Sequence, residues 1–127
     1  MTEPALIKIT VVIQDKELDD VNLQELTESL CQQITEVDGV EQANLVAVEK
    51  PPEGCRALGG FLLGMLTVEV NHTNIKSLFR FLGNRLGGKT IKMCIETPDG
   101  RKLNVEASSQ EEFEFAVQQA KKFIDMV

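Results

Sequence analysis

The chain has 127 residues, enough for one domain that buries its own core without a disulfide or metal staple. At 43% hydrophobic, 26% charged and 5% aromatic, with no Trp or Tyr, its composition excludes a disordered or fibrous protein. The net charge of −7 argues against broad nucleic-acid binding, and one His with three Cys leaves little material for catalysis.

The start, Met1-Thr2-Glu3-Pro4, lacks the basic stretch of a secretory signal. The most apolar window, Ala57 to Val70, is interrupted by Gly59, Gly60, Gly64 and Glu69 and falls short of the roughly 20 residues that span a bilayer. Cys31, Cys55 and Cys94 form no Cys-x-x-Cys pair, and three free thiols fit a reducing compartment. A cytoplasmic chain with no membrane partner is the expectation.

Leu6 to Ile13 (LIKITVVI) is β-branched and apolar almost throughout, which predicts a central strand covered on both faces. A charged loop, Gln14 to Asp20, precedes a helix whose stripe is Leu23, Leu26, Leu30, Ile34 and Val37. Asn22 is the predicted N-cap with Glu25 as its capping-box partner, and Gly39 ends the helix in a left-handed conformation. Val40 to Val48 reads as a strand. Lys50 to Gly60 (KPPEGCRALGG) is a Pro/Gly-rich break between two halves of one domain spanning 1–127. Phe61 to Val70 is predicted as a strand despite its glycines. The second helix runs from about Asn74 to Leu86, capped by Thr73, with Ile75, Leu78, Phe79, Leu82 and Leu86 on one face.

Alternation through Ile91–Glu96 and Lys102–Ala107 around Pro98-Asp99-Gly100 predicts a hairpin, because Pro presets φ and Gly accepts positive φ. Ser109 caps the last helix with Glu112 at the reciprocal position, over a stripe of Phe113, Ala116, Val117, Ala120 and Ile124. The order β-α-β, β-α-β, β-α predicts an α+β protein, a ferredoxin-like β-α-β-β-α-β sandwich extended by a hairpin strand and a C-terminal helix. A doubly wound parallel sheet is the alternative.

Gly83-Asn84-Arg85-Leu86-Gly87-Gly88-Lys89-Thr90 matches the phosphate-loop pattern letter for letter. That chemistry needs a strand before the loop and a helix after it, so that helix amides point at the phosphates. Here a helix enters and a strand leaves, so a coincidence is expected. No catalytic, cofactor-binding or metal-ligating set emerges. His72 precedes a helix cap, Cys31 and Cys94 read as small buried hydrophobes, and Asp15–Asp20 lacks the glycine and closing Glu of a calcium loop. Cys55, beside Arg56, is the thiol expected to be exposed.

Charge is polarised. Residues 1–55 hold 12 acids and 3 bases, residues 56–127 hold 8 acids and 10 bases, and seven bases fall within Asn71–Lys102. Such a dipole favours docking on an acidic partner or a homo-oligomer. Phe81 and Phe115 lie off the apolar stripes of their helices, so they and Arg80, Arg85, Lys89 and Lys92 are the candidate partner contacts.

KPPEGCRALGGFLLGML, the helix SLFRFLGNRL and the ending TPDGRKLNVEA, taken in this order, resemble the effector-associated constant component family, small proteins of bacterial conflict systems. The resemblance covers Leu6 to Ile124, with Phe79 and Phe81 where members often carry Trp. It implies a place beside adaptor domains and protease or NTPase components, with no enzymatic activity and no cofactor. The reading is therefore a non-enzymatic protein-interaction module, an adaptor or sensor of a bacterial defence-type complex. The alternative is a small-ligand-binding regulatory domain.

Overall fold

The computed structural model describes residues 6–14, 17–47, 57–58, 60–86 and 88–125. Strands are β1 (Leu6–Ile13), β2 (Val40–Ala47), β3 (Ala57–Leu58), β4 (Phe61–Asn71), β5 (Ile91–Glu96) and β6 (Lys102–Ala107). Helices are α1 (Asp20–Ile34), α2 (Ile75–Leu86) and α3 (Gln110–Asp125), with a 3-10 turn at His72–Asn74. The sheet runs β2-β4-β1-β5-β6 with every pair antiparallel, and β3 adds a short pairing to β4. The parallel alternative is thereby excluded, and the molecule is α+β.

One face of the sheet holds the core. Ile7, Ile9, Val11 and Ile13 of β1 stand beside Leu66, Val68 and Val70 of β4 and Ile91, Met93 and Ile95 of β5, all buried. The helices close over that face, α1 above β2 and β4 and α3 above β6. Each large aliphatic side chain sealed there contributes about 1.5–3 kcal/mol. No described element covers the opposite face: Lys8 is exposed, and Thr10 and Val12 are half-buried. β1 is thus central within the sheet, and the described residues cover it on one face only. Its even positions include Lys8 and Thr10 between Leu6 and Val12, and a second apolar layer would have to desolvate them.

Several helix ends differ from the sequence expectation. α1 begins at Asp20, and its N-cap is Asp19, whose carboxylate accepts from the Asn22 N–H at 2.7 Å. Asn22 therefore lies inside the first turn, where its N–H is a group to be capped. The helix ends at Ile34, and its buried stripe is Leu23, Gln24, Thr27, Leu30, Cys31 and Ile34, leaving Leu26 and Val37 half-buried. Gly39 does adopt positive φ, +86°, at the turn into β2. At the start of the 3-10 turn it is Asn71 that caps, accepting from the Asn74 N–H at 3.0 Å, rather than Thr73. Ser109 caps α3 through the Glu112 N–H at 3.1 Å, while the Glu112 carboxylate reaches back to the Ser108 N–H.

Phe61–Asn71 is a strand because its glycine relieves a local conflict. Gly64 sits at φ +71°, and a Cβ there would lie 2.7 Å from the Ile13 carbonyl oxygen. The hairpin turn is held by one carboxylate. Asp99 accepts from the Thr97 hydroxyl, from the Arg101 N–H at 3.4 Å and from Arg101 Nε at 2.9 Å. The same guanidinium lies 5.8 Å from the Phe123 ring centroid, tying the turn to α3.

Candidate functional site

α2 and α3 lie side by side on the covered face and leave a groove between them. Gly83 sets their closest approach: a Cβ there would sit 3.0 Å from the Phe113 ring. The groove encloses about 390 Å³; Phe79, Phe113 and Val117 supply its apolar floor. Lys76 and Arg80 line it from successive turns of α2, and Lys121 from α3, with Glu114 as an acid in the lining.

None of these three cations has an ion-pair partner among the described residues. Two cations four apart on a helix cost a few tenths of a kcal/mol, and no described carboxylate, Glu114 included, forms an ion pair with either. A polar strip of unpaired cations above an apolar floor can hold an anionic chain with apolar side chains.

The sequence-derived contact residues are not gathered on this surface. Arg80 is in the groove. Phe81 is half-buried against the core on the other flank of α2, with the Arg85 guanidinium 5.4 Å from its ring centroid. Phe115 is 61% exposed on α3, outside the groove lining. Lys89 lies in the turn into β5 and is half-buried. Lys92 projects from the uncovered sheet face, 3.5 Å from Glu106. Lys76 and Lys121 were missed by sequence reasoning. Their signal was the like-charged i, i+4 pair Lys76/Arg80, which has meaning only once α3 is known to lie alongside.

A second hollow of about 390 Å³ lies on the uncovered face, lined by Thr10, Val12, Lys92, Cys94, Asn104 and Glu106 among others. Among the described residues, no group of three or more His, Cys, Asp or Glu is placed to hold a metal ion. Burial pushes the Cys31 thiol above its usual range. Cys55, Arg56 and Asp15 lie outside the described residues. The phosphate-loop look-alike is the end of α2 leading into β5, with Gly83 turned against Phe113, and Gly87 lies outside the described residues. Among the described residues no helix is long and apolar enough to cross a membrane. No family model, curated protein or solved structure matches the chain.

Proposed function

We propose that this protein is a non-enzymatic interaction module whose α2/α3 groove binds an acidic segment of a partner protein. The observation that carries the reading is the set of unpaired cations, Lys76, Arg80 and Lys121, above the floor of Phe79, Phe113 and Val117. Electrostatic complementarity of this kind selects a partner and speeds its docking. A groove open to solvent favours a polypeptide over a small molecule, which is ordinarily held in an enclosed cavity. The resemblance to the effector-associated constant component family supports a partner among the adaptor, protease or NTPase components of a bacterial defence-type complex, in the cytoplasm. The strand order β2-β4-β1-β5, with helices in both crossovers, supports a ferredoxin-like core to which β6 and α3 are added.

The test is fluorescence anisotropy with a labelled peptide of alternating Glu and Leu turns. Binding should weaken with added salt and fall about tenfold or more in Arg80→Glu and Lys121→Glu. Equal affinity in the charge-reversed variants, or no binding by the native chain, overturns the assignment.

A further inference from the structure

β6 is one edge of the sheet, and among the described residues no strand lies against its outer side. Edges are hazards that proteins blunt with bulges, prolines or brevity. The other edge strand, β2, is blunted in this way: its pairing with β4 breaks register between Val40 and Gln42 and again between Leu45 and Ala47. β6 has no such break. It pairs with β5 in unbroken register from Lys102↔Glu96 to Ala107↔Ile91, and it contains no proline.

The direction in which the free backbone groups point follows from the hairpin. The Thr97 N–H donates to the Arg101 carbonyl at 2.9 Å, so Arg101 faces Thr97 as a hydrogen-bonded pair. Counting on from that pair, Leu103, Val105 and Ala107 turn their N–H and C=O toward β5. Lys102, Asn104 and Glu106 turn theirs outward. Their side chains lie on the uncovered face, where Lys102 meets Glu96 at 3.9 Å and Glu106 meets Lys92 at 3.5 Å.

The segment Lys102-Leu103-Asn104-Val105-Glu106 is self-complementary when reversed about Asn104. Lys102 falls opposite Glu106, Leu103 opposite Val105, and Asn104 opposite itself. We propose that β6 pairs antiparallel with the β6 of a second copy of this chain, about a two-fold axis at Asn104, to make a homodimer with one continuous sheet. This register uses the outward-facing groups of Lys102, Asn104 and Glu106, giving about six inter-chain hydrogen bonds. On the uncovered face the charges continue to alternate across the junction: Glu96, Lys102, the second copy's Glu106, the second copy's Lys92. No like charges meet.

The covered face supplies the second contact. α3 lies over β6, so the two-fold axis brings the two α3 helices side by side. Glu114, Val117 and Lys121 face the α2 groove. The helical period puts Glu112 and Gln119 on the far flank, toward the dimer axis, and Phe115 between that flank and the outer face of the helix. Phe115 is 61% exposed in the single chain, and this arrangement brings it beside the second copy's α3. The interface is isologous, as two-fold dimers require, and it leaves the α2/α3 groove of each copy open.

Sedimentation equilibrium on the full chain tests the proposal. The native protein should sediment as a dimer. Asn104→Pro, which removes an outward N–H and no hydrogen bond within the chain, should sediment as a monomer that circular dichroism shows to be folded. Lys102→Glu and Glu106→Lys should each weaken self-association by about tenfold or more, because like charges then meet twice across the axis. An equimolar mixture of these two variants should regain the dimer, since the glutamate introduced in one chain then faces the lysine introduced in the other. A native monomer at high micromolar concentration, assembly beyond dimers, or failure of the mixture to associate overturns the proposal. So does a dimer that persists in Asn104→Pro.

Discussion

Gly64→Ala should be among the most damaging single-methyl changes in this protein. Gly64 lies within β4 at φ +71°, a conformation that costs a residue with a Cβ about 1–2 kcal/mol. The added methyl would also meet the Ile13 carbonyl oxygen at 2.7 Å and Leu23 Cδ2 at 3.2 Å. The carbonyl belongs to the central strand and cannot swing aside, so overpacking adds about 1–3 kcal/mol. The loss should be about 2–5 kcal/mol, or roughly 10–20 °C in Tm for a domain of this size. Gly100→Ala is the internal control: its φ is +93°, but nothing lies within 4 Å of the new methyl. It should lose only the conformational part, about 1–2 kcal/mol. Urea unfolding of both variants, with m-values compared, separates backbone strain from steric conflict. If Gly64→Ala loses no more than Gly100→Ala, the packing of β4 against the end of β1 is not as described.

Two further measurements probe the hairpin and the thiols. The Thr97 hydroxyl, and then Arg101, hold the Asp99 carboxyl below the usual carboxylate range. A lowered folded-state pKa means stability that is present above the unfolded pKa, near about 4, and is lost as pH falls through the folded value. Asp99→Asn should therefore be less stable than the native chain at neutral pH, with the gap narrowing as pH falls below the unfolded value, and a gap that stays constant into acid refutes the linkage. In a Cys55→Ser background, Cys94, half-buried on the uncovered face, should react with a thiol reagent at least about tenfold faster than Cys31. Cys31 is 9% exposed and its thiol is pushed up by burial, so its labelling should follow unfolding; equal rates would contradict its place in α1.

How much could be read in advance depended on the range of each interaction. The stripe Ile75, Leu78, Phe79, Leu82 and Leu86 is buried as its spacing predicts, because helix period and an apolar face are local properties. The hairpin from Ile91 to Ala107 was legible for the same reason, since Pro98-Asp99-Gly100 specifies its turn. Local pattern does not single out the cap of α1, because Asp19, Asp20 and Asn22 are all competent acceptors, and it is Asp19 that caps rather than Asn22. Which one caps depends on where the chain leaves β1. Phe81 and Phe115 look alike on a helical wheel. One is half-covered by the core edge and Arg85, and the other is left bare, a difference set by neighbouring elements. The groove was invisible because Lys76 and Lys121 are 45 positions apart and meet only through packing.

By itself, then, the sequence determined the α+β class, most of the elements and the scarcity of catalytic groups. Periodicity, turn chemistry and composition each act within a few residues. Among the described residues, tertiary structure alone decided that every strand pair is antiparallel, that β1 is covered on one face, that β6 forms an open edge, and that three cations share one groove. Those outcomes depend on which surfaces meet across the chain, a choice made by the burial of the whole core rather than by any local pattern.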